Sequence, residues 1–217
     1  MTDATAIARY WDAAASSFDD EPDHGLAAAP TRRAWADLLR DRAPSGPGAV
    51  LDVGCGTGSL SALLAADGHH VTGVDLSPRM VGRAREKLAA AGLPGTFVVG
   101  DAAEPPTGDA RFDLVLARHL LWTLPDPWAA LRAWTARLRP GGTLLLVEGR
   151  WRQPDGDPTT YATGPGTLPW HGGVLPADLT AAVRPLATDV RVEDLSGRAE
   201  LWGHPVDDIR YALTAQV

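Results

Sequence analysis

A single cysteine, Cys55, is all the thiol in this chain of 217 residues. An intrachain disulfide is therefore impossible, and a metal site built on several cysteines is excluded. Lysine and arginine form no run, and acidic residues outnumber basic ones 27 to 20, for a formal net charge of −7. A nucleic-acid surface normally needs a basic face, so the charge balance argues against that class of partner. No apolar stretch approaches the ~18 residues that a membrane span requires. The opening MTDATAIARYWD has neither a basic start nor a long apolar segment, so no signal peptide is expected, and the cytoplasm is the default location.

What is present is the composition of an ordinary folded protein, with 45% hydrophobic and 22% charged residues. That balance excludes wholesale disorder. The length suffices for one large domain with a substantial core.

The pattern along the chain sorts into strands and helices. Residues 1–30 are acidic and carry Tyr10, Trp11 and Phe18; they read as a helix near Ala4–Ser16 and a loop through Asp19–Gly25. Thr31 is the expected cap of a second helix, in which Trp35, Leu38, Leu39 and Arg42 recur at helical spacing. A strand–helix alternation then begins. Strands are expected at Ala49–Val53, Val71–Leu76, Thr96–Gly100, Phe112–Ala117 and Thr143–Glu148. Helices are expected over Ser59–Ala66, from Ser77-Pro78 to about Ala91, and from Asp126-Pro127. The last presents Trp128, Leu131, Trp134 and Leu138 on one face. Ser77 and Asp126 are capping residues, each followed by proline at the first helical position. Such alternation implies an α/β fold with a parallel sheet covered on both faces. The tail differs: 150–176 is rich in glycine, proline and aromatics and reads as a loop or lid. A helix near Ala177–Val183 and two strands, Val190–Leu195 and Ile209–Ala215, close the chain.

The chemistry starts at Asp52-Val53-Gly54-Cys55-Gly56-Thr57-Gly58, a glycine turn between a strand and a helix. That is the context a nucleotide-binding turn needs, because glycine lets the chain bend sharply and lets a ligand approach the backbone. Alone, the turn also allows a nicotinamide dinucleotide. However, Ser59 stands where the dinucleotide fingerprint has its last glycine, and Asp52 stands just before the turn. A carboxylate there suits an ammonium group better than a pyrophosphate. Asp75 ends the next strand, where it can accept from ribose hydroxyls, and Asp101 follows the third. Three acidic residues at three successive strand ends suit a cationic adenosyl ligand.

In these segments the sequence resembles the class I S-adenosylmethionine-dependent methyltransferases. VLDVGCGTG at 50–58, VTGVDLSPRM at 71–80, GDAAEPP at 100–106, FDLVLARHLLW at 112–122 and LRPGGTLLLVEG at 138–149 are similar to their five motifs, in order and spacing. The resemblance implies a Rossmann-like, doubly wound, seven-stranded sheet with an antiparallel last strand, and no metal. It also implies that S-adenosylmethionine is bound and S-adenosylhomocysteine released. By position, Asp52, Gly54, Gly56 and Gly58 would hold the methionine part, and Asp75 the ribose. Leu76 and Met80 would pack the adenine, Asp101 and Ala102 would meet its edge, and Arg118 would lie beside the methionine carboxylate. The chain is then expected to be one domain: an N-terminal helical cap (1–45), a cofactor-binding core (49–149), and a substrate-side loop with closing strands (150–217). The plainer alternative, that Asp52 and Asp75 only cap helices, leaves the shared spacing unexplained.

The remaining candidates lie outside the strands or at their ends. Ligand sites on open parallel sheets form beyond the carboxyl ends of the strands. His119 and His24 are candidates for removing the acceptor's proton, since an imidazole titrates near neutrality; Asp23 or Tyr10 would orient them. A structural hydrogen bond is the competing role for either histidine. Trp11, Phe18, Trp122, Tyr161, Trp170 and His171 are candidates for binding the acceptor. Cys55 reads as a small space-filler, His69-His70 as a surface turn, and Trp35, Trp128 and Trp134 as core.

The fuller pattern YWDAAASSFDDEPDHG, with RHLLWTLPDP, LPWHGG and LWGHP, resembles actinobacterial small-molecule methyltransferases. That likeness implies a natural-product acceptor methylated on an indole carbon or ring nitrogen, cyclic dipeptides included. An O-methyltransferase of a small metabolite is the alternative. A nucleic-acid methyltransferase and a non-catalytic cofactor binder remain as other classes. The expected partner is a small-molecule substrate, with a homodimer as the candidate assembly.

Overall fold

The computed structural model describes residues 4–151 and 168–217. The amino-terminal cap comprises α1 (Ala4–Ala14), a 3-10 turn (Phe18–Asp20), the single-turn α2 (Pro22–Gly25) and α3 (Ala29–Arg40). There follow β1 (Ala49–Val53), α4 (Ser59–Ala66), β2 (His70–Asp75), α5 (Pro78–Ala90), β3 (Thr96–Val99) and β4 (Phe112–Arg118). The rest is α6 (Pro127–Thr135), β5 (Leu138–Arg150), α7 (Pro176–Val183), β6 (Asp189–Asp194), α8 (Ala199–Trp202) and β7 (Ile209–Gln216).

The seven strands form one sheet in the order β3-β2-β1-β4-β5-β7-β6. β1 pairs in parallel with β2 and β4, whereas β7 runs antiparallel to β5 and β6. β1 and β4 are buried on both faces and read as near-continuous apolar runs, as parallel strands covered by helices must. The strand order reverses between β1 and β4, and that reversal opens a crevice at their carboxyl ends.

Two apolar cores cover the sheet. One gathers Trp35, Leu38, Leu64, Leu116 and Trp202, and the other Leu131, Trp134, Leu146, Leu179 and Tyr211. The largest buried indoles keep their N–H paired: Trp35 Nε1 donates to Leu201 O and Trp134 Nε1 to Ala102 O, both at 2.7 Å, and Trp202 Nε1 to Leu195 O at 3.0 Å. Truncating such a residue costs about 3–5 kcal/mol.

The capping expectations at Ser77 and Asp126 hold: their side chains accept from Met80 N and Ala129 N. The expectation at Thr31 does not. Helix α3 begins three residues earlier, with Ala28 at the N-cap and Pro30 in the first turn, so Thr31 lies buried inside it. Proline is tolerated there because a first-turn N–H has no intrahelical partner. The loop expected through Asp19–Gly25 is wound into the 3-10 turn and α2. Trp128 is not core but 43% exposed. His69 is not at the surface: its ring is buried and accepts from Gly48 N at 3.2 Å. The fifth strand, expected from Thr143, begins at Leu138 and takes in Arg139–Gly142 as an irregularity, where the pairing register with β4 shifts. Among the described residues, no helix is long and apolar enough to cross a membrane.

Candidate active site

The glycine turn leaves β1 and enters α4. Gly54 and Gly58 both have left-handed backbones, at φ +67° and +77°. A side chain at either position would also collide: a β-carbon on Gly54 would lie 2.9 Å from Leu120, and one on Gly58 2.8 Å from Ala84. The turn's amides are fixed from β2. Gly54 N and Cys55 N both donate to Val74 O, and Gly56 N donates to Asp75 Oδ2 at 2.9 Å. Cys55 packs between these elements, and burial pushes its thiol up, which suits a space-filler rather than a nucleophile.

Of the three expected carboxylates, Asp52 is buried and Asp75 half-buried, at adjoining strand ends. Asp52 is 4% exposed, and its Oδ2 accepts from Ser61 Oγ at 2.6 Å. Burial pushes it up to about 7, the Ser61 bond opposing and nearby Asp75 adding to the shift. Burial also raises Asp75, against the amides of Ser77 and Gly56 that its carboxylate accepts. Asp101, by contrast, is exposed and accepts from Ala103 N two residues on. Leu76 is half-buried, and Met80 is fully buried under the N-terminus of α5.

The cap is tied to this edge by three acidic side chains. Asp12 of α1 accepts from Ser77 Oγ and Arg79 N at the start of α5. Asp19 accepts from Thr57 Oγ1 inside the glycine turn and pairs with Lys87 Nζ at 2.9 Å. Asp23 receives both terminal nitrogens of Arg118, one on its carbonyl and one on its carboxylate. The Phe18 ring lies over the glycine turn, 3.4 Å from where a β-carbon on Gly56 would stand, and stacks on His24 with centroids 4.3 Å apart. His24 Nε2 is 4.0 Å from Asp23 Oδ1, beyond a hydrogen bond, and burial and Arg118 lower its pKa. Tyr10 is exposed and meets Trp11 edge-on at 5.0 Å; Trp11 in turn meets Phe18.

Beyond β4 the chain turns at His119, a non-glycine residue with φ +52°. Its ring stacks on Trp202 at 5.9 Å and tilts against Trp151 at 4.9 Å. Its Nε2 is buried and unpartnered among the described residues. Burial and the Arg118 and Arg210 cations hold its pKa well below the ordinary value, so the imidazole is neutral. Trp122 Nε1 donates to His119 O at 2.7 Å, and the Trp122 ring meets Trp151 edge-on. The Arg210 guanidinium lies over Trp202 at 4.9 Å and Trp151 at 5.6 Å. His24, Asp23, Arg118, His119, Trp11, Phe18 and Trp122 are thus gathered around one sheet edge. Trp170 is buried instead against Trp128 and the α7 side, while His171 O accepts from Arg150. Tyr161 lies outside the described residues.

A methyltransferase-domain family profile matches residues 51–146. The Ubiquinone biosynthesis O-methyltransferase of Xanthomonas euvesicatoria is 32% identical over 205 residues, covering 87% of this chain and 78% of that protein. This chain is an S-adenosylmethionine-dependent methyltransferase. The homonymous protein of Aromatoleum aromaticum is 37% identical over 139 residues, 64% of the methyltransferase but only 56% of its own length. Among solved structures, the fold is similar to Burkholderia thailandensis 1,6-didemethyltoxoflavin-N1-methyltransferase, bound to that compound and S-adenosylhomocysteine. The TM-score is 0.65 at 24% identity, covering 98% and 88% of the two chains.

The residues of the methyltransferase fit its cofactor. Asp52 is a buried carboxyl with one hydroxyl partner, a suitable neighbour for an ammonium group. Arg118 keeps a buried Nε without a partner among the described residues, beside the Asp23 pair. Several residues at this edge escaped the sequence reading. Asp12 and Asp19 looked like general acidity of the cap. Trp202 and Arg210 lie too far along the chain for any local pattern to bring them to His119. Glu148 alone left a signal, a carboxylate inside the apolar run LLLVEG.

Proposed function

We propose that the methyltransferase acts on a flat aromatic or heterocyclic small molecule, at a ring nitrogen or an indole-type carbon, cyclic dipeptides included. The observation that carries this reading is the position of Trp122 and Trp151 beside His119, whose buried Nε2 has no partner among the described residues. Aromatic faces bind flat rings by stacking and stabilise positive charge that develops on them.

When bound, S-adenosylmethionine supplies a methyl group already activated on a sulfonium and departs as S-adenosylhomocysteine. Asp52, the glycine turn, Asp75 and Arg118 are the residues assigned to hold it, and Leu76, Met80, Asp101 and Ala102 are assigned to the adenine. The chain's remaining work is to align the acceptor, exclude water and take up one proton. His119 Nε2, neutral and without a partner among the described residues, takes the proton that the acceptor atom loses. The cap, tied down through Asp12, Asp19 and Asp23, shields the site from solvent.

A second reading, O-methylation, is favoured by the relatives of Aromatoleum aromaticum and Xanthomonas euvesicatoria, both O-methyltransferases by name. Product analysis by mass spectrometry, after incubation with S-adenosylmethionine and panels of indoles, cyclic dipeptides, nitrogen heterocycles and hydroxylated aromatics, separates the two. Turnover confined to hydroxylated aromatics would replace the first reading by the second. Turnover confined to nucleic acid or protein would remove both.

A further inference from the structure

Glu148 lies at the end of β5, fully buried, and takes no part in the chemistry described above. Its Oε1 accepts two consecutive amides, Leu120 N and Leu121 N, each at 3.0 Å. Its Oε2 has no partner among the described residues. These two amides directly follow His119, the residue held at φ +52°. A side-chain-bearing residue keeps such a backbone only where its surroundings over-determine it, and such residues cluster at functional sites.

The determinants at His119 can be named. His119 N donates to Val147 O at 2.9 Å, and His119 O accepts from Trp122 Nε1. Glu148 supplies the next two contacts. Every backbone polar group from His119 N to Leu121 N that could be lost on this turn is thereby engaged by β5 or by Trp122, apart from Leu120 O, which accepts from Thr123. Leu120 also carries the turn onto the cofactor side, since its side chain occupies the space that a β-carbon on Gly54 would need.

We infer that Glu148 is the positioning residue of the site: by holding the amides of Leu120 and Leu121 it fixes the His119 ring toward the acceptor and the Leu120 side chain against Gly54. This rests on the reading of His119 as the proton acceptor. Burial raises its pKa to about 8, so near neutral pH it is largely protonated and glutamine is a close mimic. The glutamine carbonyl still accepts both amides; alanine accepts neither.

The test compares Glu148→Gln and Glu148→Ala by amide hydrogen exchange, cofactor calorimetry and turnover. Glu148→Ala is expected to speed exchange at Leu120 and Leu121, to lower kcat by about 10- to 100-fold through misplacement of the ring, and to leave the acceptor's KM within a few-fold. Glu148→Gln is expected to restore slow exchange and most of kcat. Retained protection and turnover in the alanine variant would overturn the proposal. So would a glutamine variant with protected amides but alanine-like kcat, because Glu148 would then transfer the proton itself. If the alanine variant does not fold, loss of Leu120 and Leu121 protection in folded Glu148→Gln overturns it equally. Full turnover in His119→Ala would instead remove the underlying reading of the site, while the exchange data still report on Glu148.

Discussion

Arg118, at the end of β4, donates both terminal nitrogens to Asp23 of α2, and its guanidinium lies 4.5 Å from the centroid of the Trp35 ring. The two side chains are only 11% and 13% exposed. This buried pair joins the amino-terminal cap to the strand whose end carries His119.

Removing one partner of such a pair strands a buried charge. Asp23→Ala is therefore expected to destabilise the protein by about 3–5 kcal/mol, whereas Asp23→Asn, which keeps an acceptor, costs less. Urea unfolding at neutral pH measures both, and an alanine variant as stable as the parent would show that the pair does not hold the cap.

Asp75 serves two ends at once. Its carboxylate accepts the Gly56 and Ser77 amides and is assigned to the ribose. Asp75→Ala is expected to abolish measurable cofactor binding by calorimetry. Unchanged affinity would refute the ribose assignment.

His119→Ala is expected to spare cofactor affinity and to lower turnover by about 100-fold or more, as loss of a general base does. Because burial and two arginines depress the His119 pKa, the acid limb of kcat in the parent should lie below pH 6.5. An inflection above 6.5 that disappears in the variant would contradict the depressed value.

Stability of the cofactor-free protein should fall between pH 6.5 and 8. Asp52 and Glu148 are raised to about 7 and about 8, against ordinary carboxyl values of 3.8 and 4.5. Over this window the unfolded chain has already lost both protons and the folded chain still releases them. The stabilisation from keeping them protonated is complete below the unfolded values and is lost as pH rises through the folded ones. The lowered histidines, His24 and His119, act in the opposite direction only below their ordinary value of 6.5. The slope should reach about 1.4 kcal/mol per pH unit for each titrating carboxyl. Urea midpoints at pH 6.5, 7.25 and 8 test this; the Asp52→Asn, Glu148→Gln double variant should show a markedly shallower slope, and a parent that gains stability over the window would refute both shifts.

Local rules carried most of the architecture. The apolar runs at Ala49–Val53 and Phe112–Ala117, the Ser77-Pro78 and Asp126-Pro127 helix starts, and the left-handed glycines at 54 and 58 are decided within a few residues, because burial, capping and backbone sterics act at that range. The errors were local too: Thr31 looked like a cap only until Pro30 was admitted to the first turn, and Trp128 matched the helical period but sits at the rim of its apolar face.

By itself, then, the sequence determined the alternation of strands and helices, the glycine turn and the acidic strand ends, and through them the methyltransferase fold. Only the tertiary structure decided what faces His119. Trp202 and Arg210 reach it from the far end of the chain, Asp23 claims Arg118 across 95 residues, and Glu148 reaches back 28 residues to Leu120. The pairing of β7 antiparallel to β5, and the folding of the cap over the crevice, bring these groups together, and no periodicity or spacing along the chain encodes a distance between side chains that meet only when the sheet is complete.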